Sequence, residues 1–383
     1  MRLMLVVGII AASLSAKALV IVPTFDSSIT SDANAATIES TINTAIQLYQ
    51  TRFSDPITVT IQFKEISTAG LYGQSSWWYY NISYTQFRAA LLADSSTTND
   101  TVALAHLPAG TSNPVTGSTT VRVKTANLRA IGITGLNSGI AGGYDGVIGL
   151  HTSQLNLSRA STLGTKGDLM STVWHEIDEV LGLSSALDAN ASDPLPQDLF
   201  RYTSAGARTY TTNGDNAYFS LDGTNLIARC NQGAGADYGD WWVAGTHPAQ
   251  VQDASATNGK TPNPWAELTA LDAIGYNLLP VPRPLITRIS SSGTQLVLNG
   301  TNGMASGTCL VLASTNLTAL FAQWKPIATN FLNTSGNFSF TISNAVSLAE
   351  KKQLLYRASP MIGNQGALPD GIGIRLNQDD RLF

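Results

Sequence analysis

Charged side chains are scarce in this sequence: Asp, Glu, Lys and Arg make up 13% of its 383 residues, roughly half the share usual in soluble domains. The net charge is −4 and no run of basic residues occurs, so nothing in the sequence points to a nucleic-acid partner. Ser, Thr, Asn and Gly replace the missing charges, as in secreted proteins whose strands have polar outer faces. The hydrophobic share of 43% suffices for a substantial core, and the length suits two or three domains.

Cysteine and long apolar runs are also rare. The two cysteines, Cys230 and Cys309, cannot build a structural zinc site by themselves, and we expect both to be buried free thiols. Beyond the N-terminal stretch, no apolar segment reaches the length needed to cross a bilayer. We therefore expect no membrane anchor.

The N-terminus carries the pattern of a secretory signal peptide. Met1-Arg2 supplies a short positive region, Leu3–Leu14 an apolar run, and Ala16-Lys17-Ala18 a cleavage site between small residues. We therefore predict a signal peptide over residues 1–18 and secretion of the mature protein to the periplasm or the extracellular space.

The pattern that carries chemistry is His-Glu-x-x-Glu on a predicted helix over residues 171–181. Apolar residues gather on one face of this helix, namely Leu169, Met170, Val173, Ile177, Val180 and Leu181. His175 and Glu179, four positions apart, point together from the other face with Glu176 beside them, and Gly182 ends the helix. A helix that presents one imidazole and two carboxylates to a cleft is how zinc proteases hold a metal and a general base.

The predicted roles follow from zinc chemistry. Zinc takes three protein ligands and a water whose pKa it lowers, and a neighbouring carboxylate accepts the proton of that water. His175 and Glu179 are therefore predicted ligands, and Glu176 is the predicted general base. The usual pattern has His at the position of Glu179, and a carboxylate there makes the metal a weaker Lewis acid. The alternative interpretation is an ordinary solvated helix face without a metal.

The third ligand is not evident from the sequence. Asp188 could fold back through a short loop, Asp198 opens a compact Asp-Leu-Phe-Arg-Tyr run, and His247 follows an aromatic segment. Asp240, in a Gly-Asp-Trp triplet, is a further candidate. His151 could reach toward the cleft, although a lone His at a strand end is more often a polar terminus. Sequence reasoning does not choose among these residues.

Ahead of the His-Glu-x-x-Glu helix, hydrophobic periodicity predicts strands and helices in alternation. Strands are expected at residues 19–25, 57–63, 119–123 and 142–151, a further extended run at 104–108, and helices at 32–53 and 84–93. The aromatic-rich segment 70–80 is expected to be a loop that seals the core.

Five motifs follow one another from the predicted helix onward: His175–Gly182, Pro196–Tyr202, Tyr218–Gly223, Asp237–Trp241 and Leu268–Tyr276. In this order they resemble a family of secreted bacterial zinc metalloproteases that carry His-Glu-Ile-x-Glu-Val-Met-Gly. The resemblance covers about residues 19–279. It implies a zincin-like (metzincin-like) α+β domain with a mixed sheet, one zinc ion, and endopeptidase activity on protein or peptide substrates. It also implies that His175 and Glu179 are ligands and that Glu176 is the base.

The resemblance bears on the missing ligand and on the cleft as well. Asp198 and Asp240 match family positions without an assigned role, and related sequences have an Asp near the position of Asp188. Asp188 and Asp198 are therefore the ligand candidates that we add to the site. In zincin domains the strand before the active-site helix forms the cleft edge, where an extended peptide can add as a further strand. We expect Tyr144–His151 to be that edge.

The C-terminal part reads as a separate module. Residues 280–284 form a stiff, proline-rich linker, and short alternating runs with polar turns predict an antiparallel β-sandwich over residues 285–360. Residues 361–383 are expected to be a disordered tail. Since the module carries no catalytic constellation, we expect it to serve in binding, spacing or stabilisation.

Three functions are consistent with the sequence. The first is a secreted zinc-dependent endopeptidase. The second is a catalytically inactive zincin-fold exoprotein that acts in binding or adhesion, which Glu179 and the missing third ligand favour. The third is a surface protein that binds carbohydrate through Trp77, Trp78 and Tyr79. The sequence does not indicate an oligomeric state.

Overall fold

The computed structural model describes most of the chain between the two ends of the sequence. It describes residues 18–158, 166–212, 216–233, 237–243, 249–255, 262–280, 284–292, 295–303, 308–314, 325–333, 335–342, 355–360 and 374–375. Residues 1–17 of the predicted signal peptide, the ligand candidate His247 and most of the tail 361–383 lie outside the described residues.

The chain divides into two compact units. The first comprises the chain up to Asp240 together with Thr269–Leu279, and the second comprises Trp241–Leu268 together with the chain from Pro280 onward. The first unit combines helices with a mixed sheet, and the second carries antiparallel sheets. The fold is therefore of the α+β class.

The helices belong to the first unit, except that the last one includes the division between the two units at Leu268 and Thr269. They are α1 (Ser27–Thr30), α2 (Ala35–Arg52), α3 (Tyr84–Asp94), α4 (Thr98–His106), α5 (Thr125–Ala130), α6 (Leu169–Leu181) and α7 (Trp265–Ala273), with 3₁₀ turns at Thr152–Gln154 and Pro196–Phe200. The helices predicted at 32–53, 84–93 and 171–181 are confirmed as α2, α3 and α6.

The strands of the first unit form one larger sheet and several small ones. They are β1 (Val20–Phe25), β2 (Thr58–Glu65), β3 (Gly73–Trp77), β4 (Tyr79–Ser83), β5 (Thr120–Lys124), β6 (Gly146–Leu150), β7 (Leu155–Asn156), β8 (Gly167–Asp168), β9 (Arg201–Thr203), β10 (Ala217–Phe219) and β11 (Ala228–Arg229). The larger sheet has the order β1-β2-β6-β3. Its first three strands are parallel and β3 is antiparallel to β6, so the sheet is mixed.

The order of this sheet corrects the expected cleft edge. The predicted strand Tyr144–His151 contains β6, which lies between β2 and β3 and therefore has no free edge. The edge next to it is β3, in the aromatic-rich segment that was expected to be a loop. Glycine and serine fill three of the five positions of β3, and these residues give little strand signal.

The prediction of an extended run at residues 104–108 was wrong, because α4 covers most of this range. Thr97 and Asp100 form a capping box: the Thr97 hydroxyl accepts from the backbone N–H of Asp100 at 3.1 Å, and the Asp100 carboxylate accepts from that of Thr97 at 2.8 Å. Reciprocal capping fixes the start of a helix. Ala103 and Leu104 are buried on the inner face of that helix. When the capping residues are not recognised, these apolar residues resemble an extended run.

Helix α6 begins and ends at residues suited to those positions. The carboxylate of Asp168 caps the first turn by accepting from the backbone N–H of Ser171 at 3.1 Å. At the other end, Gly182 has a φ of 154°, a conformation that side chains disfavour. A Cβ on Gly182 would also lie 2.6 Å from Cδ1 of Ile274. The predicted stop at this glycine is confirmed.

Helix α6 is held on two sides by buried aromatic residues. Tyr49 of α2 donates its hydroxyl to the backbone carbonyl of Trp174 at 2.8 Å, and the Trp174 ring donates to the carbonyl of Ala45 at 3.0 Å. Tyr276 donates its hydroxyl to the carbonyl of Leu181 at 2.7 Å. These bonds fix the helix against neighbouring elements, which limits how far its polar face can shift.

The described residues of the second unit form two antiparallel sheets. Its strands are β12 (Leu285–Ser292), β13 (Gln295–Thr301), β14 (Thr308–Ser314), β15 (Lys325–Phe331), β16 (Phe338–Ile342), β17 (Leu355–Pro360) and β18 (Ile374–Arg375). They are arranged as β12-β13-β16 and β15-β14-β17-β18. Strand β18 lies within the segment that was expected to be a tail. Within the described part of the chain, we find no helix with the length and apolarity that a bilayer crossing requires.

Candidate metal centre

Three side chains converge on the polar face of α6. Each of His175, Glu179 and Asp240 offers one ligand atom, and these atoms lie within 4.8 Å of one another. Nε2 of His175 is 4.0 Å from Oε1 of Glu179 and 3.6 Å from Oδ1 of Asp240. Among the residues that the structure describes, no other group of His, Cys, Asp and Glu has this geometry. Glu179 and Asp240 are buried, so an ordinary solvated helix face does not describe this cluster.

Asp240 reaches α6 on a tight turn that packs against the end of the helix. The turn closes through a backbone hydrogen bond of 3.2 Å from Asp240 to Asp237. Gln197 ties it down, since its amide donates to the carbonyl of Gly239 at 2.6 Å and accepts from the backbone N–H of Ser184 at 2.7 Å. A Cβ on Gly239 would lie 2.6 Å from Cα of Ser184. Only glycine allows so close an approach of the two backbones.

Arg201 supports the same turn from the Asp-Leu-Phe-Arg-Tyr motif. This buried guanidinium donates to the carbonyl of Tyr238 at 2.8 Å and to that of Asn231 at 3.4 Å. Asn231 in turn donates its backbone N–H to the carbonyl of Asp240 at 2.7 Å. The motif therefore acts as a support for the Asp240 turn.

Asp188 and Asp198, the two ligand candidates added from the resemblance, do not belong to the cluster. Asp198 is buried and accepts the hydroxyl of Ser185 at 2.6 Å with one oxygen and two backbone N–H groups with the other. Asp188 accepts the backbone N–H of Tyr238 at 2.8 Å. Both carboxylates hold the loops around the site. The third member of the cluster is Asp240.

Glu176, the predicted base, lies on α6 against strand β3. It is 5% exposed, and burial raises the pKa of its carboxyl group, with the neighbouring charge of Glu179 acting in the same direction. Space for this side chain exists because residue 73 is glycine. A Cβ on Gly73 would lie 2.9 Å from Cδ of Glu176 and 2.7 Å from Cγ2 of Thr172.

Lys124, at the end of β5, is completely enclosed beside the C-terminus of α6. Its ammonium group donates to the carbonyl of Glu179 at 2.6 Å, to the carbonyl of Leu183 at 3.0 Å and to the hydroxyl of Ser184 at 2.8 Å. It also lies 3.9 Å from the centre of the Trp77 ring. Burial lowers the pKa of Lys124 to about 7, although the nearby negative charge of Glu179 acts to raise this pKa. A cation at this position stabilises the negative end of the helix dipole.

The donor set fits a divalent cation. Burial raises the pKa of Asp240 well above its usual value and also raises that of Asp237, and the charge of Glu179 adds to both effects. Several carboxylates therefore repel one another in a place with little water, and a cation would offset that repulsion. Zinc accepts imidazole nitrogen and carboxylate oxygen. His175, Glu179 and Asp240 supply three such atoms, which is the number that catalytic zinc sites use.

Other residues differ from the sequence-based expectations. Nδ1 of His151 lies 3.0 Å from the carbonyl of Leu71, and His151 is not part of the cluster. Sequence reasoning missed Gly73, Lys124 and Ser75, whose hydroxyl donates to the carboxylate of Glu179. Gly73 and Ser75 could have been found only if the segment had been recognised as a strand, and a lone lysine carries no pattern at all.

No family model matches the chain, and a search of the curated proteins finds no match. The resemblance described above therefore stays a prediction.

Proposed function

We propose that this protein is a secreted zinc-dependent endopeptidase. Its zincin-like domain spans about residues 19–279, and a β-sandwich module built from the two C-terminal sheets follows. The observation that carries the proposal is the convergence of His175, Glu179 and Asp240 next to a buried Glu176. Metal ligands and an adjacent carboxylate are what metal-assisted hydrolysis of a peptide requires.

Three of the residues would bind the metal, and a fourth would transfer a proton. His175, Glu179 and Asp240 would hold the ion, and zinc bound there supplies Lewis-acid activation of a water at neutral pH. Glu176 accepts the proton of the attacking water and delivers it to the leaving amine. Its buried position keeps bulk water away and favours the uncharged form after each transfer. Strand β3, one of the two edge strands of the mixed sheet among the described residues, would pair with an extended peptide substrate.

The experiment pairs metal analysis with one substitution. Purified protein should contain one zinc per chain and cleave casein, and Glu176→Gln should remove the cleavage while zinc stays bound. Glu39→Gln, on α2, is the matched control and should behave like the wild type. Protein without zinc, or full cleavage by Glu176→Gln, would contradict the proposal.

A second candidate is the inactive zincin-fold exoprotein. The observation in its favour is that Glu179 and Asp240 bring two negative charges to the site, which makes a bound zinc a weaker Lewis acid than two imidazoles would. This candidate predicts stoichiometric zinc without cleavage of any peptide. The same metal and casein measurements therefore separate the two functions.

A further inference from the structure

We propose that strand β3 is a positioning strand for the metal centre: Ser75 orients the ligand Glu179, and Gly73 makes room for the base Glu176. The inference rests on the proposed zinc site. It assigns a role to two residues that belong to neither the ligand group nor the base.

Ser75 controls which oxygen of Glu179 faces the cluster. The Ser75 hydroxyl donates a short hydrogen bond to Oε2 of Glu179. The other oxygen, Oε1, is the one that lies 4.0 Å from Nε2 of His175. A carboxylate fastened through one oxygen presents the other in a fixed direction. Hydrogen bonds of this kind to ligating groups tune metal affinity in protein sites.

Gly73 sets the position of Glu176 by having no side chain. A Cβ at this position would come within 2.9 Å of Cδ of Glu176 and closer still to its carboxylate oxygen. A flexible glutamate can move away from such a contact at little cost to folding. The moved carboxylate would no longer lie where the structure places it beside Glu179, so the substitution would act on the base rather than on the ligands.

The side chains of β3 alternate between its two faces, and this places both contacts on the same face. Successive side chains of a strand point to opposite faces, so Gly73, Ser75 and Trp77 share the face toward α6. Trp77 covers the ammonium group of Lys124, which holds the carbonyl of Glu179. All three positions of this face therefore meet the base, the ligand or the lysine at the end of the helix.

The other face of β3 supplies a matched control. Ser76 is exposed and points away from α6, and it is the same residue type on the same strand as Ser75. Any effect of removing a serine hydroxyl from β3 in general would appear at Ser76 as well. An effect on the metal centre would appear at Ser75 alone.

The first measurement is zinc affinity, determined by competition with a chromophoric chelator. Ser75→Ala should weaken zinc binding about 10-fold or more, the size usual for groups that orient a metal ligand. Ser75→Thr keeps the hydroxyl and should retain most of the affinity, and Ser76→Ala should equal the wild type. Thermal melts should show that the metal-free Ser75→Ala and Ser76→Ala proteins are both folded at the temperature of the zinc titration.

The second measurement separates the base from the ligands. Gly73→Ala combined with Thr172→Ser, which removes the methyl group in contact with the new Cβ, should bind zinc like the wild type. Its kcat on a peptide substrate should fall at least 10-fold with little change in KM. Thr172→Ser alone is the control and should retain the kcat of the wild type.

The outcomes distinguish this inference from the proposed function. If the wild type binds zinc and cleaves peptides while Ser75→Ala keeps full affinity, the role of Ser75 is overturned and the proposed function stands. If the Gly73→Ala and Thr172→Ser protein keeps the wild-type kcat, the role of Gly73 is overturned. A wild type that binds no zinc overturns both the proposed function and the inference.

Discussion

The ammonium group of Lys124 donates a hydrogen bond of 2.6 Å to the backbone carbonyl of Glu179, the same residue whose carboxylate belongs to the candidate metal centre. Lys124 therefore holds the backbone of Glu179, and the hydroxyl of Ser75 holds one oxygen of its side chain. A residue held in this way has little conformational freedom, and ligands fixed by the surrounding protein favour tight metal binding.

Replacement of Lys124 by Met should destabilise the protein. Methionine fills similar space but leaves two buried carbonyls and the Ser184 hydroxyl without this donor. We expect the free energy of unfolding to fall by about 2–4 kcal/mol, since buried acceptors that lose a charged donor are costly. Urea denaturation of the metal-free protein measures this change. Lys64→Met, at an exposed position of β2, is the control, and an equal loss in both variants would contradict the assigned role.

Replacement of Asp240 by Asn should abolish tight zinc binding. The substitution keeps the shape of the side chain and removes the charge that lies 3.6 Å from His175. We expect zinc affinity to fall at least about 100-fold, because a neutral amide is a poor zinc ligand. Isothermal titration with zinc measures the loss. Asp188→Asn should lose far less affinity, since Asp188 accepts a backbone N–H outside the cluster and the amide oxygen of Asn can still accept it; a loss as large as that of Asp240→Asn would argue for Asp188 as a ligand.

The sequence indicates the part of the site that lies on a single helix, but it does not decide the part that depends on tertiary contacts. Helical periodicity alone predicts that His175, Glu176 and Glu179 lie together, and the structure brings His175 and Glu179 into the cluster. Asp240 was one of several candidates, since its position depends on a distant turn packed against the end of α6. Ser75 was missed because its strand contains residues with low strand propensity.

Stability should fall as the pH rises through the range from 4 to 7. Burial raises the pKa of Asp55 and of Asp94 to about 6, and that of Asp272 to about 7. The unfolded chain has aspartate pKa values near ~3.9, so the folded state binds more protons than the unfolded state in this window. The free energy of unfolding therefore decreases with rising pH. Thermal melts should give a higher melting temperature at pH 5.5 than at pH 7.5.

One substitution isolates the contribution of this acidic group from that of the metal centre. Asp94→Asn removes a titrating carboxylate that accepts long hydrogen bonds of 3.3 Å from the amide of Asn277. The variant should gain about 1 kcal/mol relative to the wild type at pH 7.5 and nothing at pH 4. Equal effects at both pH values would show that the pKa of Asp94 is not raised by folding.

The contact between β6 and α6 should be intolerant of a single added methyl group. A Cβ on Gly146 would lie 2.8 Å from Cγ1 of Val180 and 3.1 Å from its Cβ. Valine in a helix has essentially one side-chain rotamer, so it cannot turn away. We expect Gly146→Ala to lower the free energy of unfolding by about 1–3 kcal/mol through overpacking.

A double-mutant cycle tests whether this loss comes from the Val180 contact. Val180→Ala alone leaves a cavity and should also destabilise, but it removes the methyl groups that oppose the new Cβ. The protein with both Gly146→Ala and Val180→Ala should therefore be more stable than the sum of the single changes predicts, by about 1–2 kcal/mol. Gly146→Ala with Val173→Ala, at a buried position two turns earlier in α6, should be additive. Additivity in both pairs would mean that α6 has moved away from β6 to accept the methyl group.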